Sequence, residues 1–148
     1  MARAPRKFWR VEDSRSRACY VEGEGILAED LYARVDFDVE GAALRGHLER
    51  HLDWSNTRAT PFVSVYSDEG TAELEAERRV DARKSDVVVY EIDVDCSYER
   101  VEYRNVRRLA GVLAVEIEDK ARNNSKYEWI FLHAVPDSAV VGWQGWKG

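Results

Sequence analysis

Proline, cysteine and long apolar runs are all scarce in this chain. Only three prolines occur, at 5, 61 and 136, and there is no Pro/Gly/Ser-rich stretch, internal repeat or low-complexity tract. Nothing marks a linker, so residues 1–148 read as a single domain with a core from about residue 8 to 141. The two cysteines, Cys19 and Cys96, make neither a metal-ligand spacing nor a disulfide framework. They read as free thiols in a reducing compartment. No apolar run approaches the ~20 residues of a spanning helix, so no membrane role is expected. The basic start, residues 1–7, leads into Phe-Trp-Arg-Val-Glu-Asp rather than an apolar h-region. No secretory signal is read, and a cytoplasmic location is expected, with delivery as an effector or toxin as the alternative. Positive charge is not in excess: the net charge is −6, which argues against duplex nucleic acid as the main partner. Gly23-Glu24-Gly25 lacks the third glycine of a dinucleotide fingerprint and follows no clear strand. There is no P-loop and no Ser or Cys hydrolase motif.

What is present suits an ordinary core, with 45% hydrophobic and 34% charged residues. Residues 7–11 predict a strand with Phe8 and Arg10 on one face and Trp9 and Val11 on the other. Residues 12–27 read mostly as loop. The spacing of Ala43, Leu44, His47, Leu48, His51 and Leu52 predicts a helix over 41–54. A strand over 62–66 follows the Thr60-Pro61 break, and an amphipathic helix spans 71–80 behind a start at Ser67-Asp68-Glu69. Strands are predicted over 86–94 and 127–135, with partial helix over 106–121 and a turn at 123–125. Pro136 stops the last strand, and a turn or short helix at 137–141 precedes a glycine-rich tail. This alternation by itself also suits a doubly wound α/β protein.

Three polar residues interrupt these strands. Glu128 heads a strand in which Tyr127, Trp129 and Phe131 share one face and Glu128, Ile130 and Leu132 the other. Ser64 lies between Phe62 and Tyr66, a pair able to form a platform for a flat ring. Arg10 shares its face with Phe8, where its planar fork of donors can grip phosphate. Singly, each has an ordinary reading as a strand-end carboxylate, a core serine or an edge arginine.

Together, Phe8-Trp9-Arg10-Val11, Ala59-Thr60-Pro61-Phe62-Val63-Ser64-Val65-Tyr66-Ser67 and Tyr127-Glu128-Trp129-Ile130-Phe131-Leu132-His133-Ala134-Val135-Pro136 occur in that order. They resemble the Arg, Ser and Glu motifs of the ADP-ribosyltransferase superfamily, in its cholera-toxin-like branch. His51-Leu52-Asp53-Trp54 before Thr60-Pro61-Phe62-Val63-Ser64 is similar to a poorly characterised domain family common in filamentous fungi. The resemblance implies an α+β fold, a split β-sandwich with flanking helices and NAD in the cleft. It implies that the nicotinamide–ribose bond of NAD is cleaved and ADP-ribose transferred to a protein or other macromolecular acceptor. Arg10 would contact the NAD phosphates or adjacent ribose. Ser64 would hold the strands in register around the nicotinamide ribose. Glu128 would bind the ribose 2′-hydroxyl and stabilise the developing positive charge. Phe62, Tyr66 or Trp129 would pack near the nicotinamide. Two positions depart from the family: Ser64-Val65-Tyr66 replaces the frequent Ser-Thr-Ser, and Lys126 stands where Glu or Gln often orients the acceptor. An unusual acceptor, NAD hydrolysis to ADP-ribose and nicotinamide, and a degenerate binding domain are therefore alternatives.

Other features have plainer readings. His47 and His51, four apart, read as a helix-surface pair rather than a zinc site, and no metal is expected. The acidic helix over 69–77 reads as a solvated face. The basic cluster Arg3, Arg6, Lys7, Arg10, Arg15 and Arg17 reads as a solvated face or as help in holding an anionic cofactor. The tail tryptophans Trp143 and Trp146 either dock onto the domain or face a partner or substrate.

Overall fold

The computed structural model describes residues 4–53, 55–117 and 124–147. It contains nine strands and three α-helices among the described residues. In chain order these are β1 (Lys7–Glu12), β2 (Cys19–Val21), β3 (Gly25–Leu27), α1 (Ala42–Leu52), β4 (Phe62–Tyr66), α2 (Glu69–Asp81), β5 (Val87–Asp93), β6 (Tyr103–Asn105), α3 (Val106–Leu113), β7 (Glu128–Leu132), β8 (Ala134–Pro136) and β9 (Val140–Trp146). The strands form a six-stranded sheet ordered β6-β7-β4-β1-β5-β9 and a three-stranded sheet ordered β2-β3-β8. Neighbouring strands are antiparallel throughout. The chain is therefore an α+β protein, and the doubly wound alternative, which needs parallel strands, is excluded.

Alternation along the strands assigns the faces. Phe8, Val63, Val65, Ile92 and Phe131 point toward the small sheet and pack with Ile26, Ala28 and Val135. On the opposite face, Phe62 and Ile130 pack beneath Leu44 and Leu48 of α1 and Leu109 and Leu113 of α3. Val11, Val87 and Val89 pack beneath Ala72 and Ala76 of α2, whose small side chains let the helix lie close. Asp68 caps α2 by accepting from the Thr71 N–H at 2.9 Å, and Asn105 caps α3 by accepting from the Arg108 N–H at 3.0 Å. Ala114, in the left-handed region at φ 55°, ends α3.

The large sheet is two halves loosely joined. Strands β1 with β5, and β4 with β7, are in register along their lengths, whereas β1 and β4 are matched only at Trp9 and Tyr66. That weak seam opens space beside Arg10 and Ser64.

The fold departs from the sequence-based expectation at five points. Residues 12–27 hold the β2–β3 hairpin, which turns through Gly23 at φ 81°. The strand expected over 127–135 breaks at His133, whose φ of 66° transfers the chain from β7 in the large sheet to β8 in the small one. Pro136 does not stop it but belongs to β8, opposite Gly25. The tail is a full strand, β9, on the outer side of β5, and β6 is a further short strand with no counterpart in the reading. Trp54 and residues 118–123, part of the expected helix and turn, lie outside the described residues. No helix among the described residues is long and apolar enough to cross a membrane.

Candidate functional site

Arg10, Ser64 and Glu128 come together at the seam. Ser64 Oγ donates to Glu128 Oε2 at 2.9 Å, and Arg10 Nη1 donates to the Ser64 carbonyl at 2.9 Å. They sit on β1, β4 and β7, three successive strands of the sheet. Arg10 is almost fully buried (8% exposed) and also donates from Nη2 to the Ala18 carbonyl at 3.0 Å and from Nε to Glu12 Oε1 at 3.4 Å. Two of its five N–H donors thus tie β1 to β4 and to the loop before β2, and a third is used within β1. Burial pulls its guanidinium below the ordinary value, opposed by Glu12 and reinforced by Arg79.

His51 is the residue that the sequence reading misplaced. It is not on the helix surface. Leu44, Leu48 and His51 recur at i, i+4 and i+7, so the histidine continues the inward stripe of α1. His51 Nε2 lies 2.7 Å from Ser64 Oγ, and Nδ1 lies 2.6 Å from Thr60 Oγ1. Its ring meets Phe62 edge-on, centroids 5.5 Å apart. Burial, with Arg10 and Arg17 nearby, lowers its pKa from 6.5 to about 4, so the ring is neutral at pH 7. With Glu128 ionised, one proton order satisfies every group: Thr60 donates to Nδ1, Nε2–H donates to Ser64 Oγ, and Ser64 donates to Glu128. In that order Ser64 is not set up as a nucleophile, because its proton belongs to the carboxylate. The 44–48–51 stripe carries this orientation in the sequence, which the i, i+4 spacing of His47 and His51 does not show. His47 turns elsewhere, Nδ1 lying 3.1 Å from Arg50 Nη2, so the pair does not converge on a metal.

Burial raises the pKa of Glu128, and the Ser64 hydrogen bond and Arg10 oppose that rise. The backbone around Glu128 is fixed from both sides. Asn105 Nδ2 donates to the Lys126 carbonyl at 2.8 Å, and the Ser67 N–H donates to the Tyr127 carbonyl at 2.8 Å. Lys126 itself is exposed, its ammonium 4.8 Å from the Tyr127 ring centroid.

A pocket of about 280 Å³ opens at the seam. Ser64, His51, Thr60 and Phe62 form part of its wall, and Arg10, Arg17, Arg50 and Arg79 bring four guanidinium groups to it. Arg17 is paired with Glu29 at 3.0 Å, and Arg79 with Asp13 at 3.1 Å. Arg50 has no acidic partner among the described residues and bonds His47. The basic N-terminal cluster divides accordingly: Arg10 and Arg17 reach the pocket, while Arg6 pairs with Asp95 at 2.9 Å. The acidic helix is not wholly solvated either, since Glu75 is largely buried beside Arg78 and Arg79.

Glu128 and Tyr66 do not contribute to the pocket wall. Glu128 lies one hydrogen bond beyond it, through Ser64. Tyr66 packs in the apolar cluster under α2, and burial, then Glu128 and Glu75, push its phenol pKa up. Phe62 is fully buried against Phe37, and Trp129 packs against Phe8 and Tyr103. Cys19 and Cys96 are free and exposed. Among the described residues, no group of three or more His, Cys, Asp or Glu side chains could hold a metal ion.

No curated protein matches this chain. The model of one family, a domain of unknown function (DUF7587), matches residues 3–144, so the chain belongs to that family.

Proposed function

We propose that this domain is an NAD-dependent ADP-ribosyltransferase of the Arg-Ser-Glu type, and that its two sheets are the split β-sandwich of that superfamily. The observation carrying the reading is the hydrogen-bonded convergence of Arg10, Ser64 and Glu128 from three separate segments onto one seam. The pocket chemistry agrees with it. Of the four arginines at the pocket, Arg50 has no acidic partner among the described residues and suits the pyrophosphate of a dinucleotide, although Glu29 and Asp53 share the same wall.

In this reading the glycosidic bond breaks heterolytically. Nicotinamide leaves with the bonding pair, and the ribosyl carbon becomes oxocarbenium-like. Glu128 stabilises that charge and accepts a hydrogen bond from the ribose 2′-hydroxyl, provided the ribose passes Ser64, behind which the carboxylate lies. Ser64, itself bonded to His51, holds the carboxylate in place and opposes the rise that burial gives its pKa. The nucleophile of the acceptor then bonds the anomeric carbon and releases its proton. Lys126, exposed and cationic before β7, makes the acceptor the least constrained part. When water is the acceptor, the same chemistry gives NAD glycohydrolysis. A binding domain without turnover is the second reading, favoured by the internal use of Arg10, whose carbonyl and carboxylate partners already occupy three of its donors.

The test is incubation of the protein with NAD carrying label in both the nicotinamide and the ADP-ribose, with and without cell lysate. Released nicotinamide with ADP-ribose bound to macromolecules supports the transferase, and free ADP-ribose the hydrolase. No release under either condition rejects turnover. Release that survives Glu128→Gln rejects the mechanism.

A further inference from the structure

The two tail tryptophans have opposite fates. Trp146 packs against the apolar cluster beneath α2, whereas Trp143 is 72% exposed. Alternation along β9 puts them on opposite faces of the sheet. Register places Trp143 beside Tyr90 of β5, and Tyr90 stacks on Tyr20 of β2 with centroids 5.0 Å apart and planes 26° from parallel. Val88 and Glu22 complete a pocket of about 390 Å³ with these three aromatics. Its lining shares no residue with the arginine-rich pocket at the seam. Gly145, paired with Val88 beside the pocket, has open space around it, since nothing lies within 4 Å of where a Cβ would stand.

The chemistry of this lining is one-sided. It offers three aromatic rings, two of them stacked on each other, and a carboxylate, and no cationic side chain lines it among the described residues. Aromatic faces and an acid attract a guanidinium or ammonium group, and repel nothing that such a group carries. The Tyr20 hydroxyl donates to Asp137 Oδ1 at 3.2 Å, which fixes one ring and adds a second acid behind it. The surroundings also favour a chain over a free small cation. β9 is an outer strand, and among the described residues no strand pairs with its outer edge. An extended segment laid along that edge would hydrogen-bond to β9 and set a long side chain over Trp143.

We propose that this aromatic and acidic pocket holds an arginine or lysine side chain of a partner protein, presented on an extended segment along the outer edge of β9. The site is independent of the NAD reading and is tested without NAD.

The probes are acetyl-Thr-Val-Arg-Val-Thr-amide, the same peptide with citrulline for arginine, and tetramethylammonium chloride. The readout is the ¹⁵N-indole spectrum of the full chain, in which five tryptophans give five indole signals. The arginine peptide is expected to shift the Trp143 signal saturably. The uncharged citrulline peptide should bind about tenfold more weakly, the scale of a cation–π contact. Tetramethylammonium, without a backbone to pair, should need a higher concentration still. Glu22→Gln and the pocket-filling Gly145→Leu should each weaken peptide binding. Trp143→Ala, at a largely exposed position that does not endanger folding, should abolish the protection of β9 backbone amides from exchange expected on peptide addition. Equal binding of the citrulline peptide, tetramethylammonium binding as tightly as the peptide, or amide protection that survives Trp143→Ala would each overturn the proposal.

Discussion

Replacing Ser64 with alanine removes one oxygen on which two other groups depend. The hydroxyl lies 2.7 Å from His51 Nε2 and donates to Glu128 at 2.9 Å. Alanine fits β4 without strain, so the effect isolates those two bonds. An orphaned buried polar group costs about 1–3 kcal/mol. Both groups are only half-buried, so water partly replaces the lost partner, and the lower end applies to each. The total is about 2 kcal/mol, which for a domain of this length lowers Tm by about 6 °C. Calorimetry or circular dichroism measures it. The loss should not add to that of His51→Ala, because both substitutions break the same His51–Ser64 contact. A double-mutant cycle should show about 1 kcal/mol of coupling. The substitution also deletes a hydrogen bond that holds the Glu128 pKa down. If NAD is turned over, the acidic limb of the pH profile should therefore move to higher pH. A Tm within about 1 °C of the wild type, or full additivity with His51→Ala, would refute the hydrogen-bonded chain.

Three further outcomes follow from the same structure. On the proposed NAD chemistry, Glu128→Gln should cut nicotinamide release about 100-fold or more. It should also raise stability at pH 7 by about 1 kcal/mol, because burial penalises the carboxylate. A raised carboxyl pKa means stability that is full below the unfolded value and lost as pH rises through the folded one, so the gain should shrink on acidification. His51 works in the opposite sense. Its pKa is depressed from 6.5 to about 4, so the stability it confers is full above pH 6.5 and lost as pH falls toward 4. That loss amounts to about 3 kcal/mol. The stability difference between wild type and His51→Gln should shrink over that window, and a difference independent of pH would contradict the buried neutral ring. Gly25→Ala should destabilise by about 3 kcal/mol or more. At φ 105° its Cβ would stand 2.1 Å from the Val135 carbonyl oxygen, and unfolding in denaturant checks it.

Much of the local structure was legible in the sequence. Short runs of β-branched and aromatic residues marked β1, β4, β5 and β7, whose two faces are both covered, and the period of 3.6 marked α1 and α2, which each bury one face. Asp68 announced the start of α2 through its side-chain cap. The short strands were not legible. β2, β3 and β6 have three residues each, too few to show a period, and they exist because other strands pair with them. β9, with its glycines, has little strand propensity of its own and is held by β5 along most of its length. His133 looked like one more strand residue, and only its φ of 66° shows where the chain changes sheets.

The candidate site divides in the same way. By itself the sequence determined that Arg10, Ser64 and Glu128 are polar residues set in apolar strands, because alternation fixes the face of each residue within its own segment. Only the tertiary structure decided that Ser64 links to both of the others. That depends on β4 lying between β1 and β7, a strand order that no local pattern encodes. The fold also turned His51 from an apparent surface histidine into the partner of Ser64, through the packing of α1 on β4. It likewise separated Trp143 from Trp146. A strand has two faces, and which of them meets a helix is settled by the sheet it joins.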